Sequence, residues 1–430
     1  MKMFLRTAAV LTVCSLSLPV FGQKSVPEVY DRTVSRLDTK GLVLTYRNVA
    51  EGCTLEKEVL SILCSLAARE CGEGESQSAI QVIRELIRES GLESIYAVGA
   101  SVSPVSEGMF RAKSFVCTPQ GRSGILADIT VANRPAEEFF NLVPAEAFLA
   151  GGSNLNLAPA FDRVLEVLKK NLPEEDYAEI GGFLDEAKNK GTDIRALLAS
   201  VSGFVFYVEN VPGAEAEAPV PGVTDGAILL ETTDDSIYRS ILTSADQEDI
   251  RDGKVIVLDA DSHVEVLQIG KYLVLSNNLA RATDILNGKV ASLAVSPKFA
   301  KYVPGEKDIQ SFFLWTPELG SLAGTLASLA VPQENLSDVA SLIQAFGLKA
   351  PLCSVSSVKQ DGIICIALTS SPGLICAVAA GGAGGNCASA VPVVAGALMP
   401  AIQSAREAAK RHAGDKKQAG DADDDDDDED

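Results

Sequence analysis

The feature that most constrains this chain is a succession that recurs three times. An apolar alternating run is followed by two helical patterns, a glycine stop and an extended segment carrying Ser-Val-Ser. The echoes are Ser101-Val102-Ser103, Ser200-Val201-Ser202 and Ser354-Val355-Ser356. Serine and valine are common, so the triplet's weight comes from its place after the helix stop. There it reads as a register mark on a half-buried strand, which suits hydroxyl and branched side chains.

Hydrophobic period assigns the elements. In the first succession, residues 41–46 read as a strand, 55–69 and 78–90 as helices ending at Gly91, and 94–105 with 109–117 as a hairpin. Residues 125–131 extend this as a further strand, and 136–142 as a short helix. The second succession places a strand at 145–150, helices at 158–171 and 176–190, and strands at 200–209 and 226–231. Residues 236–245 then read as a helix, 255–258, 263–269 and 272–276 as strands, and 279–286 as a helix. The last succession has a strand at 308–315, helices at 319–329 and 336–346, and a hairpin of 353–358 with 363–369. Its turn, Gln360-Asp361-Gly362, carries the Asp-Gly pair that favours tight hairpins. The fold class that follows is α+β: repeated strand-helix-helix-hairpin units forming mainly antiparallel sheets with helices packed on one face.

Segment boundaries follow from composition. Residues 1–22 read as a secretory signal peptide: Lys2 and Arg6 precede an uncharged run, with cleavage near Gly22. Residues 23–210 form a first α+β module, 211–224 a loop or linker rich in Pro, Ala and Glu, and 225–373 a second module. Residues 374–402 are uncharged, Gly/Ala-rich and long enough for a membrane span, although the glycines with Pro392 and Pro400 also suit a docking tail. Residues 403–430 make a basic helix and a disordered acidic tail.

The net charge of −21 includes nine carboxylates in Asp421, Asp423 to Asp428, Glu429 and Asp430. Such a chain repels phosphate backbones, so no nucleic-acid partner is expected. The tail could collect Ca²⁺ weakly, because carboxylates are hard oxygen ligands, but it lacks the glycine turn and ligand spacing of a tight loop.

Eight cysteines remain once Cys14 leaves with the signal peptide: Cys53, Cys64, Cys71, Cys117, Cys353, Cys365, Cys376 and Cys387. With no CxxC among them, a mixture of bridged and buried thiols is the expectation, and structural zinc or a redox dithiol is not.

No catalytic, cofactor-binding or metal site is assigned. Asp259, Asp261 and His263 alternate at a strand mouth, but the only other histidine is His412 in the basic tail. That shortage removes most Ser-His and Cys-His catalysis, and the Asp259 to His263 alternation reads as a polar turn rather than a metal centre. Ser356-Ser357-Val358-Lys359 matches Ser-x-x-Lys, yet it falls in a hairpin strand where that chemistry needs a helix start. GxSxG, P-loop and dinucleotide fingerprints are absent.

The stretch Gly270-Lys271-Tyr272-Leu273-Val274-Leu275-Ser276-Asn277, the helix at 279–286 and Leu293-Ala294-Val295-Ser296-Pro297-Lys298-Phe299 carry a resemblance. Over residues 40–370 the layout resembles a family of secreted bacterial domains of unknown function. That resemblance implies export and fold and transfers no active site. Leu398 to Arg411, with Ala405-Arg406-Glu407-Ala408, is similar to the helix that follows the membrane segment in prepilin-like secretion proteins, although here it is C-terminal.

The reading that results is an exported protein of the periplasm or cell envelope. It would not be an enzyme but a binding or scaffold module for an envelope protein or polymer, with membrane contact through 374–402. A hydrolase with a non-standard site is one alternative, and an accessory of a secretion or pilus-like apparatus is another.

Overall fold

The computed structural model describes residues 27–49, 76–106, 108–189, 193–210, 224–245, 249–259, 264–297, 305–316 and 351–370. The signal peptide, the helices expected at 55–69 and 319–346, the 211–223 loop and everything from 371 onward lie outside them.

The elements in chain order are α1 (Pro27–Val34), β1 (Val43–Asn48), α2 (Ser76–Glu89), β2 (Ala97–Ser106), β3 (Met109–Cys117), α3 (Gly124–Ile129), β4 (Arg134–Pro135) and α4 (Ala136–Phe140). There follow β5 (Leu149–Asn154), α5 (Leu157–Asn171), α6 (Glu174–Asn189), α7 (Ile194–Ser200), β6 (Val201–Asn210), β7 (Thr224–Thr232) and α8 (Ser236–Ser244). The rest are β8 (Ile250–Arg251), β9 (Val255–Asp259), β10 (Val264–Ile269), β11 (Tyr272–Ser276), α9 (Leu279–Leu286), β12 (Asp308–Ile309), β13 (Ser311–Trp315), β14 (Leu352–Lys359) and β15 (Gly362–Thr369).

The fold is α+β. Thirteen strands form one antiparallel sheet in the order β1-β2-β3-β15-β14-β13-β5-β6-β7-β11-β10-β9-β8. Three groups repeat one arrangement, a strand paired to the first strand of a following hairpin: β1 with β2–β3, β5 with β6–β7, and β13 with β14–β15. The last group sits between the other two, joined by β15 to β3 and by β13 to β5. Strands from both sides of the Pro/Ala/Glu loop therefore share a sheet, and that loop joins β6 to β7 inside one hairpin.

Side chains alternate between the two faces. On one, Phe115, Val205, Tyr207, Val274, Phe312, Val355, Ile364 and Ile366 join the main core with α1, α4 and α9. Phe312 meets Phe140 edge-on at 5.0 Å and Phe139 at 5.6 Å. On the other face, Val116 and Ile363 meet Leu126 of α3, Phe204 meets Leu157 and Leu198, and Leu273 meets Ile237 and Ile241 of α8. The helices inside the repeated units, α2, α5 and α7, lie on this second face, where α3 and α8 join them. Short helices between units close the first face, because a sheet apolar on both sides must be covered on both.

Two elements and the Ser-Val-Ser echoes differ from expectation. Residues 124–129 are helical rather than extended: α3 packs on α5 beside the end of α2, with Leu126 N–H bonding the Ser90 carbonyl at 2.9 Å. The strand expected at 145–150 runs instead from Leu149 to Asn154. A Cβ at Gly151 would lie 2.6 Å from the Phe206 ring, and one at Gly152 would lie 2.8 Å from the Phe312 ring, so the glycines let both aromatics cross this strand. The Ser-Val-Ser echoes also fall out of register. Val102 pairs with Val43 and packs with Ala112 on the second face, Val355 pairs with Phe312 in the main core on the first, and Ser200 ends α7.

Candidate functional site

Three clusters of ionisable side chains stand on the α1/α4/α9 face, each a carboxylate held by cations. The most enclosed is at the ends of β6 and β7. Alternation puts Tyr207 and Glu209 on one face, and register sets Glu209 opposite Asp225. Asn278 begins α9 by accepting the Arg281 N–H at 3.0 Å, while its amide donates to Asp225 at 2.9 Å. The cap orients Arg281 so that Nε and Nη2 each donate to Glu209 at 2.8 Å. Glu209 is fully buried. Its hydrogen bonds raise the Arg281 pKa. Burial, and then the charge of Glu209, push the Tyr207 phenol up, so it stays protonated.

The second cluster lies at the opposite end of β7. Glu231 accepts from Arg134 of β4 and from Lys271 of the β10–β11 turn, each at 2.5 Å. Arg134 also stacks over Phe139 at 4.1 Å. Gly203 leaves the space it needs, since a Cβ there would stand 2.5 Å from the guanidinium. Burial alone would raise the Glu231 pKa, but the Lys271 and Arg134 hydrogen bonds outweigh it and hold the carboxyl below its ordinary value.

The third is on β2 and β3. Asp38 pairs with Arg111 at 2.8 Å and Lys113 at 2.9 Å, and its backbone N–H donates to Ser101 at 2.9 Å. Burial again works against ionisation, and the two cations again prevail.

In all three, both oxygens of the bridging carboxylate, Glu209, Glu231 or Asp38, accept from fixed arginine or lysine donors. Such a group ties elements together and is poorly set to accept a proton from a substrate. Among the described residues no three His, Cys, Asp or Glu side chains converge as a metal site.

The residues singled out from sequence are dispersed. Asp259 closes β9, whereas Asp261, His263 and His412 lie outside the described residues. Ser356 shares a hydrogen bond with Ser311 at 2.6 Å on one face of β14. Lys359, three residues on, is on the other face, 3.5 Å from Glu306. A strand cannot bring these two together. Cys117, Cys353 and Cys365 are buried, and the other cysteines fall outside the described residues, as does the Asp-rich tail. No described helix is long and apolar enough to cross a membrane, and residues 374–402 are not among those described.

Sequence reading missed two things. The ion pairs of these clusters join residues 40 to 97 positions apart, and no local pattern encodes such pairs. The other is the corner of the sheet at β1. Leu42, Val43, Leu44 and Val105 are exposed there, although the run from 41 to 46 reads as an ordinary half-buried strand. A clue was available in Lys40 and Arg47, charges of the kind that flank edge strands.

No family model matches this chain, and neither a curated protein nor a solved structure does.

Proposed function

We propose that this chain is an exported cell-envelope protein that works as a binding or scaffold module rather than a catalyst. The observation that carries this reading is how its enclosed carboxylates are used. Glu209, Glu231 and Asp38 each bridge separate elements through arginine or lysine, so the ionisable groups stiffen a long sheet. A rigid sheet with an accessible end suits presentation of surface to a partner. The leader-like sequence of residues 1–22 supports export.

The test is fractionation of the native host combined with N-terminal sequencing. A mature chain beginning at Gln23 in the envelope fraction is the expected result, and uncleaved protein in the cytoplasm would overturn the reading. Photo-crosslinking from Tyr30 or Leu44 in intact cells should then yield a discrete adduct with an envelope component.

A further inference from the structure

We infer that one corner of the sheet, formed by the start of β1 and the tip of the β2–β3 hairpin, is a docking surface for a lipid bilayer. The inference rests on the envelope reading above and deepens it.

Leu42 is 66% exposed and Val105 50%, and Val43 and Leu44 beside them are also exposed. They form one corner: Leu42 N–H bonds the Val102 carbonyl, Val43 pairs with Val102, and β2 runs on through Pro104 and Val105 past the start of β1. Leu42 and Leu44 alternate with Val43, so apolar groups project from both faces of the strand. Isolated exposed aliphatic residues are ordinary, but four at one corner mark an interaction surface.

Two observations favour a bilayer. The first is where the chain leaves the sheet. Thr369, the last residue of β15, pairs with Phe110 at the base of the same β2–β3 tip. Only β2 and β3 separate β15 from β1, which places the exit roughly 14 Å from the corner at ordinary strand spacing. The sequence that continues from there contains the uncharged stretch 374–402. A membrane that takes up that stretch faces this end of the sheet. The second is local charge. Among the described residues around the corner, Lys40, Arg111 and Lys113 outnumber Asp38, a positive excess in a chain of net charge −21. Apolar side chains ringed by cations suit the boundary between anionic headgroups and acyl chains.

The test is flotation of the full mature chain with vesicles of equimolar phosphatidylethanolamine and phosphatidylglycerol. Wild type should float. A version lacking residues 374–402 should keep weak binding, and in it L42E/L44E/V105E should cut partition about tenfold or more. As a probe that leaves the fold less disturbed, Leu42→Trp in the full chain should add fluorescence, beyond that of the native Trp315, that brominated lipid quenches. Equal partition of the 374–402 deletion with and without the three substitutions, or an added tryptophan that brominated lipid leaves unquenched, overturns the inference. So does a concentration-dependent dimer that the triple variant dissolves without vesicle binding, which would assign the corner to a second copy. Failure to float together with envelope fractionation would remove the bilayer surface and leave the export reading standing. Cytoplasmic fractionation would remove the export reading whatever the vesicles show.

Discussion

Glu209 shows what a single side chain costs when its partner is lost. A fully buried carboxylate is tolerated because the Arg281 fork satisfies both oxygens. Arg281→Ala should therefore destabilise the protein by about 3–5 kcal/mol in urea unfolding, and adding Glu209→Gln should recover much of that loss. Glu231 predicts a pH effect of definite sign. Its folded pKa lies below its ordinary 4.5, so its contribution is complete above the unfolded value and fades as pH falls through the folded one. Replacing Glu231 with Gln should flatten the acid limb of the thermal melting profile. Burial pushes the Cys353 thiol up to about 12, so peptide mapping after alkylation at pH 8 should find Cys353 unmodified until the protein is unfolded. None of these environments is legible locally, since glutamates on alternating strands look alike in sequence whether they end in solvent or against an arginine.

Elements were legible where one period dominates. The β14–β15 hairpin and the helix at 279–286 both lie where the local signals agree. The turn itself falls on Gln360 and Asp361, and Gly362 opens β15, where a Cβ would fall 2.1 Å from the Val116 carbonyl of the neighbouring strand. Gly362→Ala should therefore part β15 from β3 and cost about 1–3 kcal/mol, readable as a lowered denaturation midpoint with early hydrogen exchange in β15. Where elements were misread, packing opposed propensity. Ile125, Ile129 and Thr130 suggest a strand, yet the segment packs on α5 as a helix. Gly151 and Gly152 suggest a loop, yet they form a strand because Phe206 and Phe312 need their missing side chains.

Across the whole molecule the consequential fact is that the last unit occupies the middle. A chain truncated after Ala350 would lack β14 and β15, leaving β3 and β13 with open edges and the β1–β3 group severed from the rest. Such a fragment should be insoluble or aggregate on size exclusion, whereas a strictly linear array would lose only its end. Alternation, helical period, glycine stops and the repeated succession determine which segments become strands or helices and that the class is α+β, because these depend on neighbours a few residues away. Strand order, the pairing of Glu209 with Arg281, and the exposure of Leu42 and Val105 were decided only in the tertiary structure. Each depends on which distant segment arrives alongside, and hydrophobic patterning, being alike in all three units, does not distinguish one apolar strand from another as a neighbour.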